Sequence, residues 1–217
     1  MISSYQAAPF DVHLQQILHI FTFLKKNSKL TFYFDPDLAI IYPTSLTCST
    51  AKEFCDKFRG TTEELPNDTH KPRGRLFHVN SFVEAYHADD KKTRGSHTVY
   101  IIFANRAPTI WYSKQQETVE SSYFSSEFIA LKTCVEHIIG LRFKLRMFGI
   151  PIDVEAIFLN DNKSVVDSSS KLESMLNKKH ISVAYHLVRW NVASGVVRIG
   201  WIEGISNIAE ELMKIIS

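Results

Sequence analysis

The chain has 217 residues, 45% of them hydrophobic, and a formal net charge of +2. That is enough apolar material for one sizeable domain with an appendage, or for two small domains, and it excludes wholesale disorder. A mean charge this small does not argue for nucleic acid, which needs a local basic patch, and three cysteines exclude a disulfide scaffold. These cysteines, Cys48, Cys55 and Cys134, fit a reducing compartment, and Cys48 and Cys55 have no second pair of ligands nearby to build a zinc site.

In chain order, Val12, Ile17, Ile20, Phe21 and Leu24 recur near helical spacing, Asp11 is placed to cap that helix and Lys25–Lys26 suit its end. The apolar run Ile17–Leu24 is too short to span a bilayer and no basic segment precedes it, so the chain reads as soluble and intracellular. Leu30–Phe34 predicts a short strand stopped by Asp35-Pro36. Residues 43–75 are rich in Thr, Ser, Pro and Lys without a sustained period, which predicts a linker with one short helix near Ala51–Phe58. From Leu76 the pattern changes to three β-rich runs, Leu76–Tyr86, Thr98–Ala104 and Thr109–Ser113, separated by short turns as in a meander. A long helix follows over about Ser122–Phe148, with Phe124, Phe128, Leu131, Val135, Ile138 and Leu145 as its apolar stripe and Gly149 to end it. Ala156–Leu159 predicts a strand, with a helical stretch after Asp161. Ile181–Val192 predicts a helix, Val196–Trp201 a last strand and Asn207–Ile216 a last helix. The predicted order is β-β-β-α-β-α-α-β-α.

Several strings fall within this order. They are Thr93-Arg94-Gly95-Ser96-His97-Thr98-Val99, Pro108 to Gln116 around Trp111, Ser121-Ser122 through Glu127-Phe128-Ile129-Ala130, Gly149-Ile150-Pro151, Asp161-Asn162-Lys163-Ser164, Lys179-His180 with Tyr185-His186, and Asn207 to Lys214. Seven strings in register over residues 82–214 resemble the RNase H region of copia-type retrotransposon polyproteins. Ser3-Ser4-Tyr5 and the helix after it look like the end of the preceding reverse transcriptase domain. The resemblance implies an α/β RNase H-like fold, a five-stranded mixed sheet flanked by helices, with a short N-terminal helix–strand appendage. It divides the chain into residues 1–42, a reverse transcriptase remnant, a linker over 43–75, and an RNase H-like domain over 76–217.

The resemblance further implies cleavage of RNA in RNA–DNA hybrids by two magnesium ions, with manganese as a substitute. The reverse transcriptase portion of the polyprotein would be the partner, in a cytoplasmic virus-like particle or the nucleus. Hydrolysis of a phosphodiester by such ions needs three or four convergent carboxylates. The aligned acids are Glu84, Glu127, Asp161 and Glu210, as catalytic and metal-binding residues. From spacing alone, Glu127 sits on the apolar face of its helix, where an unpaired acid is costly. Asp161 is also placed to be a helix N-cap, Glu84 to be a solvated edge acid, and Glu210, three residues after Asn207, to complete a capping box. Lys114, Lys179, His180, His186 and Arg189 are candidate substrate contacts, with Lys178 beside them. A solvated basic surface and structural histidines are the competing readings.

Glu84 and Glu210 stand where the family has Asp, Tyr86 where it has a second Asp, and Val99 where it has Gly. Each Glu moves its carboxylate one methylene farther from the backbone, which predicts an impaired site. The alternatives are a catalytically dead remnant and a nucleic-acid-binding accessory module.

Overall fold

The computed structural model describes residues 11–29, 61–63, 65, 67, 69–88, 93–171, 173, 174, 176 and 179–210. The predicted strand Leu30–Phe34, the short helix near Ala51–Phe58, Cys48, Cys55, Lys178 and the end of the last helix lie outside the described residues. The predicted N-terminal helix is present as α1, Asp11–Lys26, with Asp11 in its first turn and Lys25 and Lys26 in its last. It belongs to a compact unit separate from the sheet domain. No helix among the described residues is long and apolar enough to cross a membrane.

The sheet domain contains β1 (Val79–Tyr86), β2 (His97–Ala104), β3 (Ala107–Gln115), α2 (Tyr123–Met147), β4 (Ala156–Asn160), α3 (Lys163–Ser170), α4 (Ser182–Ala193) and β5 (Val197–Trp201). A 3-10 turn, Lys179–Ile181, leads into α4, and another, Gly204–Ser206, precedes helical residues 208–210. The strands lie in the order β3-β2-β1-β4-β5. The first three form the predicted meander, antiparallel throughout. Asn105 makes the β2–β3 turn possible. It adopts a positive φ of 54°, its N–H donates to the His78 carbonyl at 2.8 Å, and its Oδ1 accepts from the His78 N–H at 2.9 Å. β4 then joins β1 in parallel, pairing Asn80 with Ile157 and Phe82 with Leu159, and β5 joins β4 in parallel.

β1 explains its own sequence. Every residue from Val79 to Ala85 is buried, including Asn80, Ser81 and Glu84. A central strand covered on both faces has no need of alternation, which is why the run reads poorly as an amphipathic strand. One face packs Val79, Val83 and Ala85 against Phe128, Leu131, Val135 and Ile138 of α2, within the main core. The other face holds Phe82 with Val99, Ile101, Ile157, Leu159 and Ala209.

α2 begins at Ser122, whose hydroxyl accepts from the Ser125 N–H. It ends where Gly149 turns to a φ of 72°, with its N–H on the Arg146 carbonyl and the Ile150 N–H on that of Leu145. The described part of the predicted linker is attached to this helix. Glu63 receives two bonds of 2.9 Å from Arg142 and a further bond from Arg146, and the Arg73 N–H donates to the Gly149 carbonyl. Because α1 stands in its own unit while residue 63 is built into the sheet domain, removing residues 1–34 is expected to leave a single cooperative unfolding transition with its midpoint little changed. Thermal melts of the truncated and full chains check this. Loss of cooperativity would show that the N-terminal unit is integral to the core.

Candidate active site

Three acids converge at the carboxyl ends of β1 and β4. Glu84 comes from β1, Glu127 from the second turn of α2, and Asp161 from the residue after β4. Each offers one carboxylate oxygen to a group in which all three lie within 4.8 Å of one another. Glu84 is 2% exposed, Glu127 is fully buried and Asp161 is half-buried. The fourth expected acid is not one of these three. Glu210 lies in helical residues 208–210, half-buried and outside this group of three.

Local structure frees Asp161 for the cluster. The capping role open to it in the sequence belongs to its neighbour, since Asn162 Oδ1 caps α3 by accepting from the Ser164 and Val165 N–H groups. The Asp161 backbone is held by Trp201, whose indole N–H donates to its carbonyl at 2.8 Å. Gly204 leaves room for the carboxylate, because a Cβ there would stand 3.0 Å from Asp161 Oδ2.

Two asparagines and a tyrosine complete the site, and sequence reasoning did not single them out. Asn160 Nδ2 donates to Glu127 Oε2 at 2.9 Å, and Asn207 Nδ2 donates to Glu84 Oε2 at 3.0 Å. The Tyr123 hydroxyl donates to Glu84 Oε1 at 3.4 Å, and the Ala85 N–H reaches the same oxygen at 3.1 Å. Asn160 had one visible signal, an amide closing an apolar strand immediately before an acid. Asn207 read only as a helix cap.

Burial pushes the Glu84 carboxyl well above the ordinary range, and the charges of Glu127 and Asp161 push it further. Burial also raises Glu127, against the bonds from its neighbours. The pair therefore retains a proton at neutral pH when no cation is present. Glu127 Oε1 is buried with no hydrogen-bond donor. An orphaned carboxylate oxygen among three convergent hard oxygen donors fits a magnesium or manganese ion.

The expected substrate contacts are dispersed. Lys114, exposed on β3, lies 3.8 Å from Glu117 and lines a polar groove of about 330 Å³ with Gln116, Lys132 and Thr133. Lys179 and His180 are exposed in the 3-10 turn, where His180 Nε2 stands 3.3 Å from Ser125 Oγ and 3.4 Å from Glu120 Oε2. His186 is exposed on α4, edge-on to Tyr185. Arg189 corrects the expectation. It is 4% exposed, and its guanidinium donates to the Ser168 and Lys171 carbonyls at 2.9 and 2.6 Å, so it ties α4 to the end of α3 rather than facing a phosphate.

No family model matches the chain. Among curated proteins it is 24% identical over 145 residues to the retrovirus-related Pol polyprotein from transposon RE1 of Arabidopsis thaliana, covering 67% of this chain and 10% of that one. It is 28% identical over 138 residues to the counterpart from transposon TNT 1-94 of Nicotiana tabacum, covering 64% and 10%. The chain's homologues are retrovirus-related Pol polyproteins of plant transposons. The matched region spans about a tenth of the length of these Pol homologues. Among solved structures, a compost-derived metagenomic RNase H1, LC11, has a TM-score of 0.49 at 13% identity, covering 64% of this chain and 99% of that one. A foamy viral protease–reverse transcriptase in complex with RNA/DNA hybrid has a TM-score of 0.41 at 12% identity, covering 96% of this chain and 25% of that one. The chain has the mixed five-stranded sheet with flanking helices that the resemblance implied.

Proposed function

We propose that this chain is an RNase H-type endonuclease, dependent on divalent metal, that cuts the RNA strand of RNA–DNA hybrids as part of a retrotransposon Pol polyprotein. The convergence of Glu84, Glu127 and Asp161 on one spot carries this reading. The Pol homologues support it and support a reverse transcriptase portion as partner.

Glu84, Glu127 and Asp161 would hold the cation. Bound there, magnesium, one ion or two, would supply an activated water and offset charge on the leaving oxygen. Glu127 contributes a buried oxygen that no protein donor occupies, and Asp161, half-buried, brings charge to the solvent side where a phosphate arrives. The buried Glu84–Glu127 pair, raised above the ordinary carboxylate range, would give up a proton to a cation. Lys114 and Lys179 offer exposed ammonium groups for the nucleic-acid backbone. His180 and His186 expose imidazoles able to contact phosphate or move a proton.

A second reading, a fold retained without cleavage, is favoured by Glu210 standing outside the cluster and by the longer Glu84 side chain. The deciding assay uses the full chain on a labelled RNA–DNA hybrid and on an RNA duplex, with magnesium, manganese or chelator. Hybrid-selective cutting with metal, and none in chelator, is expected. Folded protein that binds magnesium and hybrid without cutting would establish the second reading. Hybrid binding with no uptake of metal would indicate an accessory binding module.

The same site predicts a pH dependence. Because both carboxyls are raised in the fold, the metal-free domain is more stable when they are protonated, and it loses that stability as pH rises through their raised values. Magnesium must displace the retained proton, so its stabilising effect is expected to grow between about pH 5 and pH 8. Melting midpoints with and without magnesium across that range check the sign. A magnesium effect independent of pH would count against the buried carboxylates as ligands.

A further inference from the structure

We infer that Asn160 and Asn207 are positioning residues that, through the single Val83 carbonyl, orient Glu127 and Glu84 toward the divalent cation. The inference rests on the metal-site reading proposed above.

The argument begins with the sheet. The β1–β4 ladder ends at Phe82 opposite Leu159. The next carbonyl of β1, that of Val83, is taken by side chains. Asn160 Nδ2 donates to it at 3.1 Å and Asn207 Nδ2 at 3.2 Å. A carbonyl oxygen has two lone pairs, and each amide nitrogen has two hydrogens. One hydrogen of each asparagine goes to Val83 and the other to a carboxylate, Glu127 Oε2 from Asn160 and Glu84 Oε2 from Asn207.

The far end of each amide is also fixed. Asn160 Oδ1 accepts from the Asn162 N–H at 2.9 Å, and Asn207 Oδ1 from the Ala209 N–H at 3.2 Å. These bonds dictate which way each amide points, so the donors cannot exchange places with the acceptor. The amides hold one oxygen of each acid against the backbone of β1. What remains is Glu127 Oε1, buried and without a donor, and Glu84 Oε1, reached only by the Ala85 N–H and the more distant Tyr123 hydroxyl among the bonds described above. Partners of this kind behind a metal ligand typically change affinity by ~10- to 100-fold.

The test is calorimetric titration of the full chain with manganese, together with unfolding in chelator. Asn160→Ala and Asn207→Ala are expected to weaken manganese binding at least about tenfold, and Asn207→Gln, which keeps an amide donor, to recover most of the loss. A purely structural role would lower the chelator midpoint and leave the affinity of the folded protein unchanged, and that result overturns the inference. Where an alanine variant does not fold, the serine variant keeps a capping oxygen without the amide donor and carries the same expectation. If the unmodified chain takes up no manganese, the metal-site reading fails and the inference with it. That outcome is visible before any variant is made, so the two failures are distinct.

Discussion

Glu127→Gln is expected to abolish metal-dependent cleavage, by on the order of a thousandfold or more, while making the metal-free domain more stable. The two effects have one origin. Glu127 is fully buried beside Glu84, and its Oε1 has no donor. Glutamine keeps the shape, keeps an oxygen for Asn160, and takes an ionisable group out of the core. The burial that raises the Glu127 carboxyl outweighs the bonds it receives, and this change removes that cost. The same change deletes a charged ligand, and preorganised charge at the reacting centre is the main source of rate in such sites. Cleavage assays and chelator melts on one preparation read both signs. A variant that cuts hybrid at the unaltered rate would remove Glu127 from the ligand set, and one that is destabilised would show that its charge is already paired.

Arg142→Met is expected to destabilise the sheet domain by about 3 kcal/mol, the lower end of what breaking a buried pair costs, because Arg146 remains. Arg142 is 2% exposed and clasps both oxygens of Glu63 while its other nitrogen donates to the Val154 carbonyl at 2.7 Å. Methionine keeps the apolar stem and leaves that carbonyl and half of the Glu63 contacts unmet. Burial alone would raise Glu63, but the bonds and charges of Arg142 and Arg146 more than offset it and hold the carboxyl below its ordinary value. The stability linked to Glu63 is therefore complete above the ordinary carboxylate range and disappears as pH falls through the lowered value. Midpoints measured from pH 3 to 7 should fall on the acid side in the unmodified chain, and the fall should be shallower in the variant. Equal midpoints at pH 7 would show that the bridge contributes nothing.

The β-meander, the long helix and the parallel return of β4 were legible because turn residues, helical spacing and strand length all agreed. The ends of α2 were legible from Ser122 and Gly149. In the stretch 43–75 composition reports on local preference and not on the partners of its described residues. Glu63 is held by arginines 79 and 83 residues away. Arg189 misled for a related reason, since a basic residue near other basic residues looks exposed until the carbonyls at the end of α3 are seen beneath it. All four acids were visible as motif positions, and three of them lie together. Their amide partners were not, because Asn160 and Asn207 matter only through a carbonyl on another strand. Glu210 had a motif match but lies in a helix that places it outside the three.

The burial of β1 on both faces bears on the history of the chain. A strand with an acid and an amide sealed inside it is a poor choice for folding alone. Glu84 and Glu127 each cost stability that an uncharged neighbour of similar shape would return. Random change filtered only for a foldable domain would erase such residues early, since their loss is rewarded at once. A lineage that had long abandoned its chemistry would carry aliphatic side chains here.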